Sequence, residues 1–235
     1  MFFDFPELPP LAPDVICKMN EIYNHLHWIA KTHQYAATTL LPKIKSQIVS
    51  KQYGRGGQCI HRGYYCPSPV LDILVGGINR GTILKRVLKP TDVTTYSFDS
   101  NDQLILMERP WNELEIVLRN GNVETGIGLG TDGEIKSIAE CIYNESKIIS
   151  YMHAVYAASE GAFIETRSEE YVYSSEGLDT VIVSSFSEMV AYFSRNVYRF
   201  WHDKNGFLSK YMNISCNESS PSWQHEYTVY VKRKI

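Results

Sequence analysis

The residues with the clearest chemical potential are two cysteines and a histidine in a glycine-rich stretch. Cys59, His61 and Cys66 form a Cys-x-His-x4-Cys cluster. Zinc in proteins takes four tetrahedral nitrogen and sulfur ligands, and its common signature is a Cys-x2-4-Cys pair followed by a second pair. A fourth ligand would have to come from one of three distant residues: Cys141, His153 or Cys216. We therefore favour a loop with two free thiols and predict no metal or other cofactor, and a zinc site is kept as the alternative.

Enzyme signatures are not found in the sequence. There is no Gly-x-Ser-x-Gly elbow, no His-Glu-x-x-His and no phosphate-binding loop. The Gly126-x-Gly128-x-Gly130 pattern lies among predicted hairpins and is not followed by a helix, so it is not a dinucleotide fingerprint. A hydrolase with His61 or His153 as its base, in a cleft between helix and sheet, is kept as an alternative. We predict no catalytic residue.

Charge is distributed unevenly along the chain, although the formal net charge is only -3. Residues 93–190 contain 17 Asp and Glu against 5 Lys and Arg, a net charge of -12. Residues 43–92 contain 9 Lys and Arg against 2 acidic residues, a net charge of +7. An acidic surface repels phosphate and attracts basic proteins. The pattern therefore favours recognition of a partner over catalysis.

Acidic and aromatic residues together define a candidate partner-binding surface. Glu113 and Glu115 are two residues apart in a strand pattern, so we expect them on one face, with Leu114 and Ile116 on the other. Carboxylates would speed association with a basic protein, and aromatic side chains would anchor it. The predicted partner-binding residues are Asp99, Asp102, Glu108, Trp111, Glu113, Glu115, Glu124, Glu165, Glu169, Glu170, Tyr171 and Tyr173. The alternative is a solvated face whose charges prevent edge-to-edge aggregation.

The basic segment, residues 43–89, has two interpretations. It places Tyr64 and Tyr65 among nine cations, and such a mixture can bind phosphates and stack on bases. A nucleic-acid-binding module is nevertheless the less favoured alternative, because the adjacent acidic stretch would repel nucleic acid. The same cations could instead pair with the acidic strands, inside the molecule or across a dimer.

An N-terminal helix is predicted from Asp14 towards Gln52. Asp14 is suited to the N-cap, and apolar residues recur at spacings of three and four after it. Pro42 should kink or divide the helix, because proline lacks a backbone donor and clashes with the preceding turn. Short helical pieces are predicted at 70–75 and 81–88.

From residue 93 onward, apolar and polar residues alternate, which is the period of a half-buried strand. Turn signals, Asn-Gly and Asp-Gly among them, occur at 100–102, 119–122, 132–133, 144–146 and 205–206. Residues 189–195 fit either a helix or a strand. Strands are predicted at 96–99, 104–107, 114–118, 123–129, 135–143, 147–156, 163–167, 170–173, 180–186, 197–201, 207–214 and 227–231.

A repeat runs through these hairpins. Its copies are Tyr96-x-Phe98…Asp102-x-Leu104, Ile127-x-Leu129…Gly133-x-Ile135, Tyr198-x-Phe200…Gly206-x-Leu208 and a shorter Tyr171-x-Tyr173…Gly177-Leu178. Over residues 93–214 the chain resembles the tyrosine/aspartate (YD-type) hairpin repeats of bacterial polymorphic toxins, and the β-meander proteins, immunity proteins among them, that accompany these toxins. The resemblance implies a non-enzymatic sheet that holds another protein, and it carries over no specific functional residue.

We predict an α+β fold, in which an N-terminal helical and loop region (residues 1–92) packs on a long antiparallel β-meander (residues 93–235). The meander would be an open sheet or a half-barrel, and the two regions could form one continuous domain. Five scattered cysteines, no signal-like start and no bilayer-length apolar run predict a cytoplasmic protein that does not contact membranes. The predicted function is a non-catalytic bacterial protein-binding module, such as an immunity protein that occludes a basic toxin. The sequence leaves the partner and the oligomeric state open.

Overall fold

The computed structural model describes residues 13–57, 61–74, 79–86, 93–111, 113–157, 162–187, 192–217 and 220–228. The helices are α1 (Pro13–Thr32), α2 (Ala36–Thr39), α3 (Leu41–Ser46) and α4 (Leu71–Leu74), and Gly63–Tyr65 forms a 3-10 turn. The strands are β1 (Ser50–Arg55), β2 (Thr82–Ile83), β3 (Thr94–Phe98), β4 (Leu104–Glu108), β5 (Leu114–Asn120), β6 (Val123–Leu129), β7 (Ile135–Asn144), β8 (Lys147–Ala157), β9 (Ala162–Ser174), β10 (Gly177–Ser187), β11 (Tyr192–His202), β12 (Leu208–Asn217) and β13 (Ser220–Thr228). None of the helices in these ranges combines the length and the apolar composition needed to cross a bilayer.

One open antiparallel sheet contains all the strands of the described residues. Its order is β13-β12-β11-β10-β9-β8-β7-β6-β5-β4-β3-β1-β2. From β3 to β13, each strand pairs with the next strand along the chain, which confirms the predicted class of a helical part with a long antiparallel meander. β1 and β2 extend the sheet beyond β3, so the sheet includes residues on both sides of the proposed 92/93 boundary.

The predicted hairpin turns are present between β3 and β4, β5 and β6, β6 and β7, β7 and β8, and β11 and β12. In the β5–β6 hairpin, Asn120 pairs with Val123, and Gly121 has a φ of +60°, which glycine adopts without strain. The strands predicted at 163–167 and 170–173 are one strand, β9. The ambiguous residues 189–195 are strand from Tyr192, whereas 189–191 lie outside the described residues. The last strand begins earlier than predicted, and residues 229–231 also lie outside the described residues.

α1 covers one face of the sheet. Met19, Ile22, Leu26 and Ile29, spaced three or four residues apart, are buried. Full burial of a side chain such as Leu26 contributes about 2 kcal/mol. These residues share a hydrophobic core with side chains of the sheet that include Leu106, Ile116, Ile127, Ile138, Ala154 and Phe163.

The prediction of one helix running towards Gln52 is wrong, because α1 ends at Thr32 and two short helices follow. Pro42 lies in the first turn of α3, where its missing N–H leaves no hydrogen bond unmade. Residues 50–54 then pair with β3, a long-range contact that overrides local helix propensity. The helix predicted at 81–88 is likewise wrong over residues 81–86, since Thr82 and Ile83 form β2, and residues 87–88 lie outside the described residues.

Residues 61–74, which we call the covering segment, lie on the opposite face of the sheet. Val70, fully buried, packs with a second core that includes Tyr151, Tyr171 and Leu178. Gly63 has a φ of +52°, and a Cβ there would lie 2.5 Å from the Tyr96 hydroxyl. The sheet is therefore covered on both faces, by α1 on one side and by the covering segment on the other.

Candidate functional site

A row of polar side chains lies between the covering segment and the sheet. Neighbouring residues of a strand point to opposite faces. Since Ile116 and Ser168 pack on the α1 side, Glu115 and Glu169 point towards the covering segment. The strand register adds four more residues on the same face: Cys141, Tyr151, His153 and Arg167. We call this set, together with the residues of the covering segment that it contacts, the buried polar cluster.

Glu115 fixes the first part of the covering segment. Its Oε1 atom lies 2.5 Å from His61 Nε2, and its Oε2 atom accepts a 3.0 Å hydrogen bond from the Arg62 backbone N–H. The Arg62 guanidinium also donates to Glu124, which accepts a 2.8 Å hydrogen bond from Arg119 Nε. The His61 and Glu115 side chains are 2% and 4% exposed, so solvent does not reach this contact.

The sequence makes room for this contact at Gly126 on the adjacent strand β6. Gly126 pairs with Val117 of β5, and a Cβ on Gly126 would lie 2.6 Å from His61 Nε2 and would also overlap Glu115. A side chain at this position would push the imidazole off the sheet. The first part of the Gly-x-Gly-x-Gly pattern is therefore explained by packing.

The charge states within the cluster follow from burial and from neighbouring charges. Burial disfavours the ionised form of Glu115, but the contacts with His61 and Arg62 outweigh it and lower the pKa of Glu115 to about 2. Burial lowers the pKa of His61, although Glu115 acts in the opposite direction. Burial, with His61 nearby, lowers the pKa of His153 to about 3. At neutral pH we therefore assign an ionised Glu115 that is held by a permanently charged Arg62, and a neutral His153.

Glu169 fixes the second part of the covering segment. Its Oε2 atom accepts hydrogen bonds from the Ser68 hydroxyl, at 2.6 Å, and from the Tyr171 hydroxyl, at 2.5 Å. Its Oε1 atom accepts a 2.8 Å hydrogen bond from Arg167 Nε. The Ser68 oxygen in turn accepts a 3.0 Å hydrogen bond from the Leu71 N–H, at the start of α4. Glu169 is fully buried, so these donors replace its hydration.

Arg80, which follows the covering segment in the chain, binds three residues of that segment. Its Nη1 atom donates a 2.6 Å hydrogen bond to the Cys66 carbonyl, and its Nε atom donates at 3.0 Å to Asp72. Its Nη2 atom donates to the Ser68 carbonyl. Together with Arg62, this cation shows how the basic segment is used: two of its arginines neutralise carboxylates inside the folded chain.

The chemistry available to the buried polar cluster is limited by burial. Burial raises the pKa of the Cys66 thiol to about 12, so the thiolate is scarce at neutral pH. The Ser68 hydroxyl donates to a carboxylate, not to a histidine that could activate it. Cys59 lies outside the described residues, and within the residues described no group of three or more His, Cys, Asp or Glu side chains is arranged to hold a metal ion.

Several of the predicted partner-binding residues are not on the surface. Glu115, Glu169 and Tyr171 are buried in the polar cluster, and Glu124 is largely buried against Arg62. The predicted same-face arrangement of Glu113 and Glu115 does not give them the same environment, because Glu113 is 43% exposed just before β5 begins. These placements remove Glu115, Glu169 and Tyr171 from any docking surface of the folded chain and leave little of Glu124 exposed.

The exposed members of the predicted set are dispersed. Asp102 is exposed in the β3–β4 turn, and Asp99 shapes that turn by accepting hydrogen bonds from two backbone N–H groups. Glu165 is exposed on β9, and Tyr173 lies below the Lys147 ammonium, 4.9 Å from ring centroid to nitrogen. Glu170 points to the α1 side, 2.6 Å from Lys18.

The turn between β4 and β5 brings two members of the set, Trp111 and Glu113, together. Trp111 is 44% exposed, and its indole N–H donates a 2.8 Å hydrogen bond to Glu113 Oε2. The same oxygen accepts a 3.2 Å hydrogen bond from Arg109 Nη1. Glu108 lies at the end of β4, 3.6 Å from Lys45. The β3–β4 turn is at the other end of β4, about 17 Å away along a five-residue strand.

Sequence reasoning missed the side chains that surround the buried carboxylates as one cluster: His61, Arg62, Ser68, His153 and Arg167. The available signal was the opposition of charge between residues 43–92 and 93–190, which allowed internal pairing as one of two outcomes. No protein-family model matches the chain, and a search of curated proteins likewise finds no match.

Proposed function

We propose that this chain is a non-catalytic protein-binding module, an immunity-type bacterial protein that neutralises a basic toxin domain in the cytoplasm by occlusion. The observation that carries the proposal is the exposed, oriented indole of Trp111 next to the Glu113 carboxylate. We call Trp111 and Glu113 the docking corner.

The docking corner has the properties of a binding anchor. Tryptophan is enriched among residues that dominate binding energy, because it buries a large area and loses few rotatable bonds. The hydrogen bond from Trp111 to Glu113 fixes the ring before a partner arrives, which lowers the entropic cost of docking. The Glu113 carboxylate, which Arg109 also contacts, lies next to the ring and could bind a cation of a basic partner.

The buried polar cluster fits a structural role better than catalysis. The His61 imidazole and the Glu115 carboxylate, the pair with the best acid–base geometry, are almost fully enclosed. They lie below the covering segment, on the face opposite α1, and therefore not in a cleft between helix and sheet. An internal network of this kind makes the sheet rigid, which suits a module that holds a partner.

The proposal is tested by affinity capture from a nuclease-treated lysate of the source organism, with stepwise elution by salt. We compare the wild type with Trp111→Ala and Glu113→Lys, and with Trp28→Ala as a matched control, since Trp28 is 62% exposed on α1. We expect one basic protein, retained in a stoichiometric amount by the wild type and by Trp28→Ala, and lost from Trp111→Ala.

Once purified, that partner should bind Trp111→Ala with a free energy weaker by about 2 kcal/mol. Glu113→Lys should mainly slow association and reduce its salt dependence. Equal affinity of the wild type and both corner variants would show that the docking corner is not the binding surface. A wild-type protein that retains no basic partner would contradict the proposed function itself.

A further inference from the structure

The cations of the basic segment differ in their surroundings. Arg62 and Arg80 are turned inward and paired with carboxylates. Lys51, Lys85 and Arg86 are exposed, and in the part of the chain that the structure describes they take part in no ion pair. Internal neutralisation of the acidic strands therefore does not account for these three charges.

Lys51, Lys85 and Arg86 border one groove at the edge of the sheet. The groove has a volume of about 400 Å³, within the range of roughly 300–1,000 Å³ that small-molecule sites occupy. No acidic residue is among those that line it in the described structure: Lys51, Gln52, Tyr53, Ile83, Leu84, Lys85 and Arg86. The groove is thus a concave surface that carries three positive charges.

Both walls of the groove are held in place. The Leu84 N–H donates a 2.8 Å hydrogen bond to the Tyr53 carbonyl. This bond connects the wall formed by the residues after β2 to the wall formed by β1. The Tyr65 hydroxyl donates a 2.6 Å hydrogen bond to the Gln52 side chain, and Ile83 packs against the core that contains Tyr96 and Phe98. The cations therefore project from a fixed frame.

We propose that this groove binds the phosphate of a nucleotide, with Lys51, Lys85 and Arg86 as phosphate ligands and Tyr53 as a stacking surface for the base. Arg and Lys side chains are the usual phosphate ligands of proteins, because they neutralise its charge and donate several hydrogen bonds. An aromatic ring next to such cations is the arrangement with which proteins hold single-stranded nucleic acids. The nucleotide is either free or part of a single strand.

The experiment has two arms that separate these sources. Binding of a fluorescein-labelled twelve-residue oligothymidylate is measured by fluorescence anisotropy at several salt concentrations, and binding of thymidine monophosphate is measured by calorimetry. The variant Lys51→Gln/Lys85→Gln/Arg86→Gln is compared with a control, Lys31→Gln/Lys43→Gln/Lys204→Gln, which removes three exposed cations elsewhere. Circular dichroism melts establish that both variants fold.

We expect the groove variant to bind the oligonucleotide at least about tenfold more weakly and the control to bind like the wild type. Three lost phosphate contacts should lower the slope of log K against log salt by about two, because each contact to a single strand contributes about 0.7. Tyr53→Leu should cost about fivefold or more if its ring stacks on a base. Binding of the monophosphate alone would assign the groove to a free nucleotide.

Three results would overturn the proposal: no binding of either probe by the wild type, equal losses in the groove variant and the control, or equally tight binding of a polyglutamate of the same length. The last would show that the groove accepts any polyanion and does not recognise a nucleotide.

Discussion

The Ser68 hydroxyl donates a 2.6 Å hydrogen bond to the Glu169 carboxylate, and this contact joins residues that lie 101 positions apart in the chain. Glu115 makes the equivalent connection to His61 and Arg62. Two carboxylates of an acidic sheet thus hold the covering segment, which comes from the basic part of the chain. Some of the opposite charges of the two parts of the sequence therefore pair inside the molecule, as Arg62 does with Glu115 and Glu124.

Glu115→Gln should destabilise the protein strongly. The substitution keeps the shape of the side chain but removes one of the two carboxylates that neutralise Arg62. The Arg62 side chain is only 2% exposed, and Glu124 is then its one remaining anionic partner among the ion pairs of the described residues. Breaking a buried ion pair by removing one partner costs about 3 kcal/mol or more. Urea denaturation measures this loss, with Glu113→Gln as the control, since that exposed carboxylate should contribute less than about 1 kcal/mol. Similar losses in the two variants would contradict a special role for Glu115.

Mild acid should destabilise the fold through His153. Burial, with His61 nearby, lowers the pKa of His153 from 6.5 to about 3, so below pH 6.5 the unfolded chain takes up a proton that the folded chain does not. Stability is therefore highest above pH 6.5 and falls as the pH drops towards 3, by roughly 2 kcal/mol between pH 7 and pH 5. Below pH 4.5, Glu115 adds a further loss, because its folded-state pKa is about 2.

Thermal unfolding at pH 7 and pH 5 measures this dependence, with His153→Gln as the matched variant. Glutamine does not titrate, so the decrease in Tm between the two pH values should be clearly smaller for His153→Gln than for the wild type. An identical decrease in both proteins would show that His153 is not the responsible group.

Gly126→Ala should weaken the contact between His61 and the sheet. The added Cβ would lie 2.6 Å from His61 Nε2, and overpacking of this kind costs about 1–3 kcal/mol. Combining Gly126→Ala with His61→Ala removes the part of the clash that involves the imidazole, so the loss in the double variant should be smaller than the two single losses added together. If urea denaturation shows that the loss of unfolding free energy in the double variant equals the sum of the two single losses, the packing of His61 against Gly126 is contradicted.

Ser68→Ala should loosen α4 more than it destabilises the whole fold. The substitution removes one of the three donors to the buried Glu169 and the acceptor for the Leu71 N–H, which together should cost about 1–3 kcal/mol. Limited proteolysis should then cut the covering segment faster than in the wild type. Ser146→Ala, in an exposed turn, is the control and should leave the cleavage rate unchanged.

Local signals were sufficient to predict the hairpins. Asn120-Gly121, Asp132-Gly133 and Asn205-Gly206 each favour a tight turn through residues next to one another, and each turn is present. The strand limits at Val123 and Leu129 were also predicted, because the alternation on either side of the turn is regular.

Long-range contacts could not be predicted in the same way. The start of β1 at Ser50 depends on pairing with Phe98, and this contact has no signature in the helical pattern that precedes it. Alternation predicted that Glu113 and Glu115 share a face, but their exposure depends on partners elsewhere in the chain. Glu115 is enclosed by His61, whereas Glu113 turns to the exposed Trp111.

The most direct test of the account is hydrogen exchange at the backbone amides of the covering segment. In the wild type at pH 7 we expect slow exchange at Arg62 and Leu71, whose N–H groups donate to Glu115 and Ser68. In Glu115→Gln/Glu169→Gln these amides should exchange much faster, while the strands β7 and β8 stay protected. Fast exchange of Arg62 and Leu71 in the wild type would contradict the claim that the two carboxylates hold the covering segment on the sheet.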